Sequence, residues 1–204
     1  MRVGRCLTII GPVLVMVGWH VAASAQAVVG QPAPDFTITD TRGHTRALAE
    51  LKGKFVVIEW FNYDCPFTKK HYDTGNMQWL QLTYTVRGVV WFSIDSSAPG
   101  KQGYLSAKEA NRLSAKKHVQ ATAILLDPNG KVGRLYGAKT TPHMFIVNPD
   151  GKLLYAGAID DKRSVDPADV KTAKNYVQTA LDEALAGKPV STPETLSYGC
   201  SIKY

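Results

Sequence analysis

The chain of 204 residues is 45% hydrophobic, 9% aromatic and 20% charged, which is enough apolar material for one domain with a sizeable core. This composition excludes a disordered chain, a collagen-like fibre and a multi-pass membrane protein. The formal charge of +7 is spread thinly, with no basic stripe interleaved with aromatics, so nucleic acid is not an expected partner.

Arg2 and Arg5 precede an apolar run, Leu7 to Val21, and the run is followed by Ala22-Ala23-Ser24-Ala25-Gln26-Ala27. Basic, apolar and small-residue segments in that order are the layout of a cleaved secretory leader, and the run is shorter than the roughly 20 residues that span hydrocarbon. Residues 1–25, or 1–27, are therefore predicted to be a signal peptide. The mature protein is then expected to be exported, in the periplasm or a similar compartment, with no membrane anchor. Loss of the leader takes two arginines and Cys6, lowering the charge to +5 and leaving Cys65 and Cys200 where thiols can oxidise.

From Val29 onward, strand-like runs alternate with helical stretches. Asp35 to Thr39 reads as a short entry strand and Thr41 to His44 as a turn. Lys54 to Phe61 is almost wholly apolar, as in a strand covered on both faces, and Gly88 to Ile94 and Thr122 to Leu126 repeat the pattern. Between them, Lys69 to Val86 and Ser106 to His118 have helical character, the second with Ser106 and Glu109 at capping-box spacing. This alternation implies parallel strands with right-handed crossovers. His143 to Asn148 and Lys152 to Ala156 then form a predicted hairpin around Pro149-Asp150-Gly151, which makes the sheet mixed. A helix is predicted over Pro167 to Ala186 with Gly187 as its terminator. The charged run Asp160 to Arg163 reads as a solvated loop. The predicted organisation is an α/β domain over residues 28–187 and a tail, residues 188–204, carrying Cys200.

Cys65 stands just after the most apolar strand and just before a helix. At that junction unpaired N–H groups and the helix dipole stabilise a thiolate, and Pro66 fits the first turn. The effect is large: a thiol with a pKa of about 8.5 is only about 3% ionised at pH 7, whereas one near 6 is about 90% ionised. Lys69 and Lys70 favour the anion and Asp64 opposes it. An inert buried cysteine is the competing reading. Thr140-Thr141-Pro142-His143 stands before the first hairpin strand, and a cis bond between Thr141 and Pro142 would carry the Thr141 backbone toward Cys65.

Strand, cysteine at a helix start, Thr-Pro, hairpin and terminal helix together resemble the thioredoxin fold. The opening Val29-Gly30-Gln31-Pro32-Ala33-Pro34-Asp35-Phe36 resembles that of the redoxins related to alkyl hydroperoxide reductase and thiol-specific antioxidant. Asp64-Cys65-Pro66-Phe67 before Lys70-His71-Tyr72, Ser97 to Tyr104 after the second strand, and the ending Tyr198-Gly199-Cys200-Ser201 are similar to a peroxiredoxin-like group of exported thioredoxin-family proteins. The resemblance implies a thioredoxin-like α/β fold, with a central mixed β-sheet flanked by helices, an N-terminal strand extension and a C-terminal tail. It places Cys65 at the first cysteine of the thioredoxin motif and at the peroxidatic position, and Pro142 at the cis-proline. Thr68 stands where thioredoxins have their second cysteine, so a vicinal disulfide cannot form. Asn62 replaces the peroxiredoxin threonine and Ile58 a proline. Arg134 and Arg163 are candidates for the peroxiredoxin arginine by elimination only.

The activity so implied is that of a thiol-dependent oxidoreductase with peroxiredoxin-like antioxidant action. Thiol–disulfide exchange with a protein partner, or a non-catalytic binding module, stand as alternatives. In the leading reading Cys65 attacks a peroxide or an oxidised thiol, Asn62 and local backbone N–H groups orient the oxygen, Thr141 and Pro142 shape the pocket, Thr68 is a supporting residue, Cys200 resolves the intermediate, and an unknown thiol reductant resets the protein. Cys200 is also readable as half of a structural disulfide or as a free thiol. His71 and His143 each have two readings, as a ligand or proton shuttle near Cys65 and as a plain structural residue. No metal site or cofactor is expected, a Cys-plus-His copper site lacking its spaced cysteine pair, and the protein is expected to be a monomer or a homodimer.

Overall fold

The computed structural model describes Met1 and residues 26–204, so the leader reading falls outside the described residues. Among those residues no helix is long and apolar enough to cross a membrane. Five strands form the central sheet: β3 (Val56–Trp60), β4 (Val90–Asp95), β5 (Ala123–Leu126), β7 (His143–Val147) and β8 (Leu153–Gly157). Their order is β5-β4-β3-β7-β8. Strands β3, β4 and β5 run parallel, and β7 and β8 are antiparallel to their neighbours. This is the mixed sheet expected from the change of register at His143. The entry segment is shorter than predicted: β1 (Thr37–Thr39) pairs with β2 (Thr45–Ala47) as a small separate hairpin.

Side chains alternate between two apolar layers, as the two-residue period of a strand requires. Val57, Trp91, Met144, Ile146 and Tyr155 meet one set of helices; Ile58, Trp60, Phe92, Phe145 and Val147 meet Phe36, Leu48 and Tyr136 on the other face. In the second layer, Trp60, Tyr136 and Phe145 pack with ring centroids 5.3 to 5.5 Å apart.

The helical stretch predicted over Lys69 to Val86 is two helices, α1 (Pro66–Asp73) and α2 (Asn76–Thr85). Gly75 takes a φ of 78° between them, a left-handed conformation that ends one helix and starts the next. Helix α3 (Ala107–Lys116) begins as predicted, the Ser106 hydroxyl accepting the Glu109 N–H. A short α4 (Lys131–Tyr136) was not legible, its six residues offering too little periodicity. The Pro167 segment is a 3-10 turn to Lys171, and α5 (Tyr176–Leu185) starts afresh where the Asn175 side chain accepts the Gln178 N–H. Burying Val177, Ala180, Leu181 and Ala184 preserves the apolar face that the sequence showed.

The tail is seated rather than free. Its residues 193–195 lie along β8, with the Ala156 N–H donating to Pro193 O and Thr195 N–H to Ala156 O. Further on, β9 (Cys200–Ser201) pairs antiparallel with β6 (Thr140–Thr141). The Tyr204 hydroxyl donates to Ala138 O at 2.8 Å, and the Arg134 guanidinium lies 4.7 Å from the Tyr204 ring centroid.

Candidate active site

Cys65 is the N-cap of α1, with extended backbone and Pro66 in the first turn. β3 delivers it. Phe61 N–H continues the sheet by donating to Ile94 O, and the chain turns at Asn62, whose carbonyl accepts the Cys65 N–H. Helix α1 is fixed to β3 from below by Glu59, a fully buried carboxylate that accepts from Tyr72 at 2.8 Å, Trp91 at 2.9 Å, Ser93 at 2.7 Å and Gln81 at 3.2 Å. Burial holds Glu59 above the usual carboxylate range in spite of those four donors. The sequence reading passed over Glu59 because one charge within an apolar strand carries no signal of what surrounds it.

The Thr141–Pro142 bond is cis, and the neutral Cys65 thiol donates to Thr141 O at 3.0 Å. The same Thr141 pairs with Cys200 across the β6–β9 ladder. Two cysteines 135 positions apart in sequence are thus brought together, both with free thiols. Burial pushes the Cys65 thiol up, but the neighbouring Cys200 thiol and the Thr68 N–H bring it below its ordinary value. Cys200 is pushed up to about 11, by burial and then by its proximity to Cys65. Cys200 therefore keeps its proton when Cys65 ionises. Cys65 is only 1% exposed, whereas Cys200, on the strand paired with the β6 segment that Cys65 meets, is half-buried.

The other expected residues divide. Thr68 and Thr141 are buried beside Cys65, and their hydroxyls have no hydrogen-bond partner among the described residues. Asn62 is buried, but its amide serves the loop: Nδ2 donates to Gln102 O at 3.2 Å and Oδ1 accepts the Asp64 N–H at 2.8 Å. His143 is neutral and structural, its Nδ1 accepting the Lys139 N–H at 3.2 Å and its pKa lowered to about 4 by burial and then by Lys139. Lys69 is exposed, and Lys70 turns away from the thiol toward Asp160.

That last contact corrects the reading of residues 160–163 as a solvated loop. Asp160 is 2% exposed, and Lys70 Nζ reaches its Oδ2 at 3.3 Å, Lys162 O at 2.8 Å and the Tyr198 hydroxyl at 3.3 Å. Tyr198 in turn donates to Asp160 Oδ1. His71 is buried alongside with its Nε2 3.7 Å from Asp160 and its pKa lowered to about 3 by burial and then by Lys70. No local pattern announces this cluster, since its members come from α1, the loop after β8 and the tail.

A family model described as the AhpC/TSA family matches residues 29–156. The chain belongs to the AhpC/TSA family. The match takes in Cys65 and Pro142 and stops short of the tail with Tyr198 and Cys200. Among curated redoxins, the thiol-disulfide oxidoreductase ResA of Bacillus thuringiensis subsp. konkukian is 25% identical over 126 residues, 62% of this chain and 67% of that protein. Among solved structures, an uncharacterized conserved protein from Geobacillus kaustophilus superposes with a TM-score of 0.73 at 27% identity, covering 87% of this chain and 92% of that one. A putative thiol:disulfide interchange protein DsbE from Chlorobium tepidum, at 24% identity, shares the fold with a TM-score of 0.51 over 64% of this chain and 85% of that one. The redoxin fold is therefore thioredoxin-like, as the resemblance implied.

Proposed function

We propose that this redoxin, a thiol-dependent oxidoreductase, exchanges disulfides with a protein partner through the Cys65/Cys200 pair. The observation that carries the reading is the meeting of both cysteines at Thr141, which faces Cys200 across the β6–β9 ladder and accepts the Cys65 thiol at 3.0 Å; it supports a dithiol couple made from two remote residues. The ResA relatives, named thiol-disulfide oxidoreductases, support it. Peroxide reduction, the first expectation from sequence, has weaker support: Asn62, expected to orient a peroxide oxygen, has its amide engaged by Gln102 and Asp64.

In the reducing direction β9 leaves β6 and uncovers Cys65. The Cys65 thiolate attacks one sulfur of a partner disulfide; the Cys65–partner bond forms while the other partner sulfur departs as a thiolate and takes a proton from solvent. Cys200, once deprotonated, attacks the Cys65 sulfur. The partner leaves as a dithiol and the Cys65–Cys200 disulfide remains, two electrons having passed to the partner. Run backward, the same steps oxidise a partner dithiol, and the potentials of the two couples set the direction. Export by the N-terminal leader would place this chemistry where disulfides persist.

The test compares wild type, Cys65→Ser and Cys200→Ser in reduction of a model protein disulfide with a dithiol reductant. Both variants are expected to lose turnover, and Cys200→Ser to accumulate a mixed disulfide at Cys65. Full turnover in Cys200→Ser would overturn the exchange reading, and peroxide consumption that depends on Cys65 in the absence of such exchange would restore the peroxidase one.

A further inference from the structure

The buried cluster of Lys70, Asp160 and Tyr198 has no part in the exchange chemistry above, yet it lies at a telling place. Tyr198 is 6% exposed and precedes Cys200 by two residues. Its ring meets the ring of Phe67 edge-on at 5.8 Å, and the Lys70 ammonium stands 5.5 Å from its centroid. Its hydroxyl donates to Asp160 and accepts from Lys70. Phe67 and Lys70 both belong to α1, the helix that Cys65 caps. The tail is therefore pinned to the nucleophile's own helix immediately before it delivers Cys200.

Burying an ammonium, a carboxylate and a phenol together is a poor way to gain stability, because desolvation offsets most of their attraction. What directional bonds supply and apolar contacts do not is register. Lys70 alone ties α1 to two other segments, reaching Asp160 and the Lys162 carbonyl in the loop after β8 and Tyr198 in the tail. Between Tyr198 and Cys200 there is only Gly199, so fixing Tyr198 on α1 fixes how far Cys200 can stray from Cys65 when β9 opens. An intramolecular reaction of this kind depends on the effective concentration of one group at the other, which falls as the tether slackens.

Resting on the exchange reading, we propose that Tyr198 is a positioning residue: its hydroxyl, held by Asp160 and Lys70, sets the effective concentration of Cys200 at Cys65. Its hydroxyl bonds Asp160 and Lys70 and neither of the reacting sulfurs.

The experiment equilibrates wild type and Tyr198→Phe with glutathione buffers and reads the constant for closing the Cys65–Cys200 disulfide. It also times the release of glutathione from a preformed Cys65 mixed disulfide. Phenylalanine keeps the ring on Phe67 and deletes only the hydroxyl. Both the closure constant and the release rate are expected to fall about tenfold or more. The alkylation pH profile of Cys65, measured in a Cys200→Ala background, is expected to be the same with and without Tyr198→Phe. Asp160→Asn, whose amide oxygen still accepts the Tyr198 hydroxyl, is expected to retain more of the closure constant than Tyr198→Phe, and the reverse order overturns the proposal. So does a closure constant in Tyr198→Phe within twofold of wild type, whether or not Tm has dropped. A wild-type protein that closes no Cys65–Cys200 disulfide at all would instead overturn the exchange reading, and this proposal with it.

Discussion

Thr141 faces Cys200 across a two-residue antiparallel ladder while its carbonyl oxygen accepts the Cys65 thiol at 3.0 Å. One residue thus touches both cysteines, and the fit on the tail side leaves no slack. Gly199 has a φ of 140°, and a Cβ placed there would run into the Thr141 carbonyl. Gly199→Ala should therefore push β9 off β6 and uncover Cys65. In the fully reduced protein, alkylation of Cys65 at fixed pH should quicken by about tenfold or more, since local opening limits access to a thiol that is 1% exposed. A wild-type alkylation rate in this variant would show that the ladder does not guard Cys65.

The lowered pKa of Cys65 is opposed by burial and owed in large part to the Cys200 thiol. Cys200→Ala removes that donor and keeps the fold of the tail. The pH profile of Cys65 alkylation, or of thiolate absorbance, should then move to higher pH. A profile that stays in place or moves lower would mean that the helix N-terminus and the Thr68 N–H stabilise the anion without Cys200.

Cys65 could be found from sequence because everything that makes it reactive is local: an apolar strand before it, a helix and Pro66 after it. The central sheet was equally legible, since strands covered on both faces are spelled by unbroken apolar runs. The site around Cys65 was not. β9 is two residues long and is defined by its partner alone, and Asp160 looks from sequence like any surface aspartate. Burial of a charge depends on where remote segments meet, and Lys70, Asp160 and Tyr198 come together only once the tail is laid back over α1.

Asp95, at the end of β4, is 3% exposed and is pushed up to about 6, chiefly by burial. The folded state thus binds this proton more tightly than the unfolded chain, whose aspartate titrates at 3.8. The resulting stabilisation is complete below pH 3.8 and is lost as pH rises through about 6, a swing of about 3 kcal/mol. Asp95→Asn lacks the swing. Urea unfolding at pH 4 and pH 7 should show the variant gaining about 2–3 kcal/mol on wild type between the two. A difference that stays constant with pH would remove Asp95 as the source.

The Lys70–Asp160 pair should respond very unequally to loss of one partner. Asp160→Ala leaves a Lys70 ammonium whose side chain is fully buried with only the Lys162 carbonyl and the Tyr198 hydroxyl as partners, and breaking such a pair costs about 3–5 kcal/mol. The double variant Lys70→Met with Asp160→Ala removes the stranded charge as well and fills the space with a flexible apolar chain. It should recover a substantial part of that loss, so that the two substitutions are far from additive in urea unfolding. The two variants should differ in a second respect. Stability returns in the double variant, but the register it imposed on Tyr198 does not, so closure of the Cys65–Cys200 disulfide should stay impaired. Recovery of both together would mean that the cluster acts on the cysteines through stability alone.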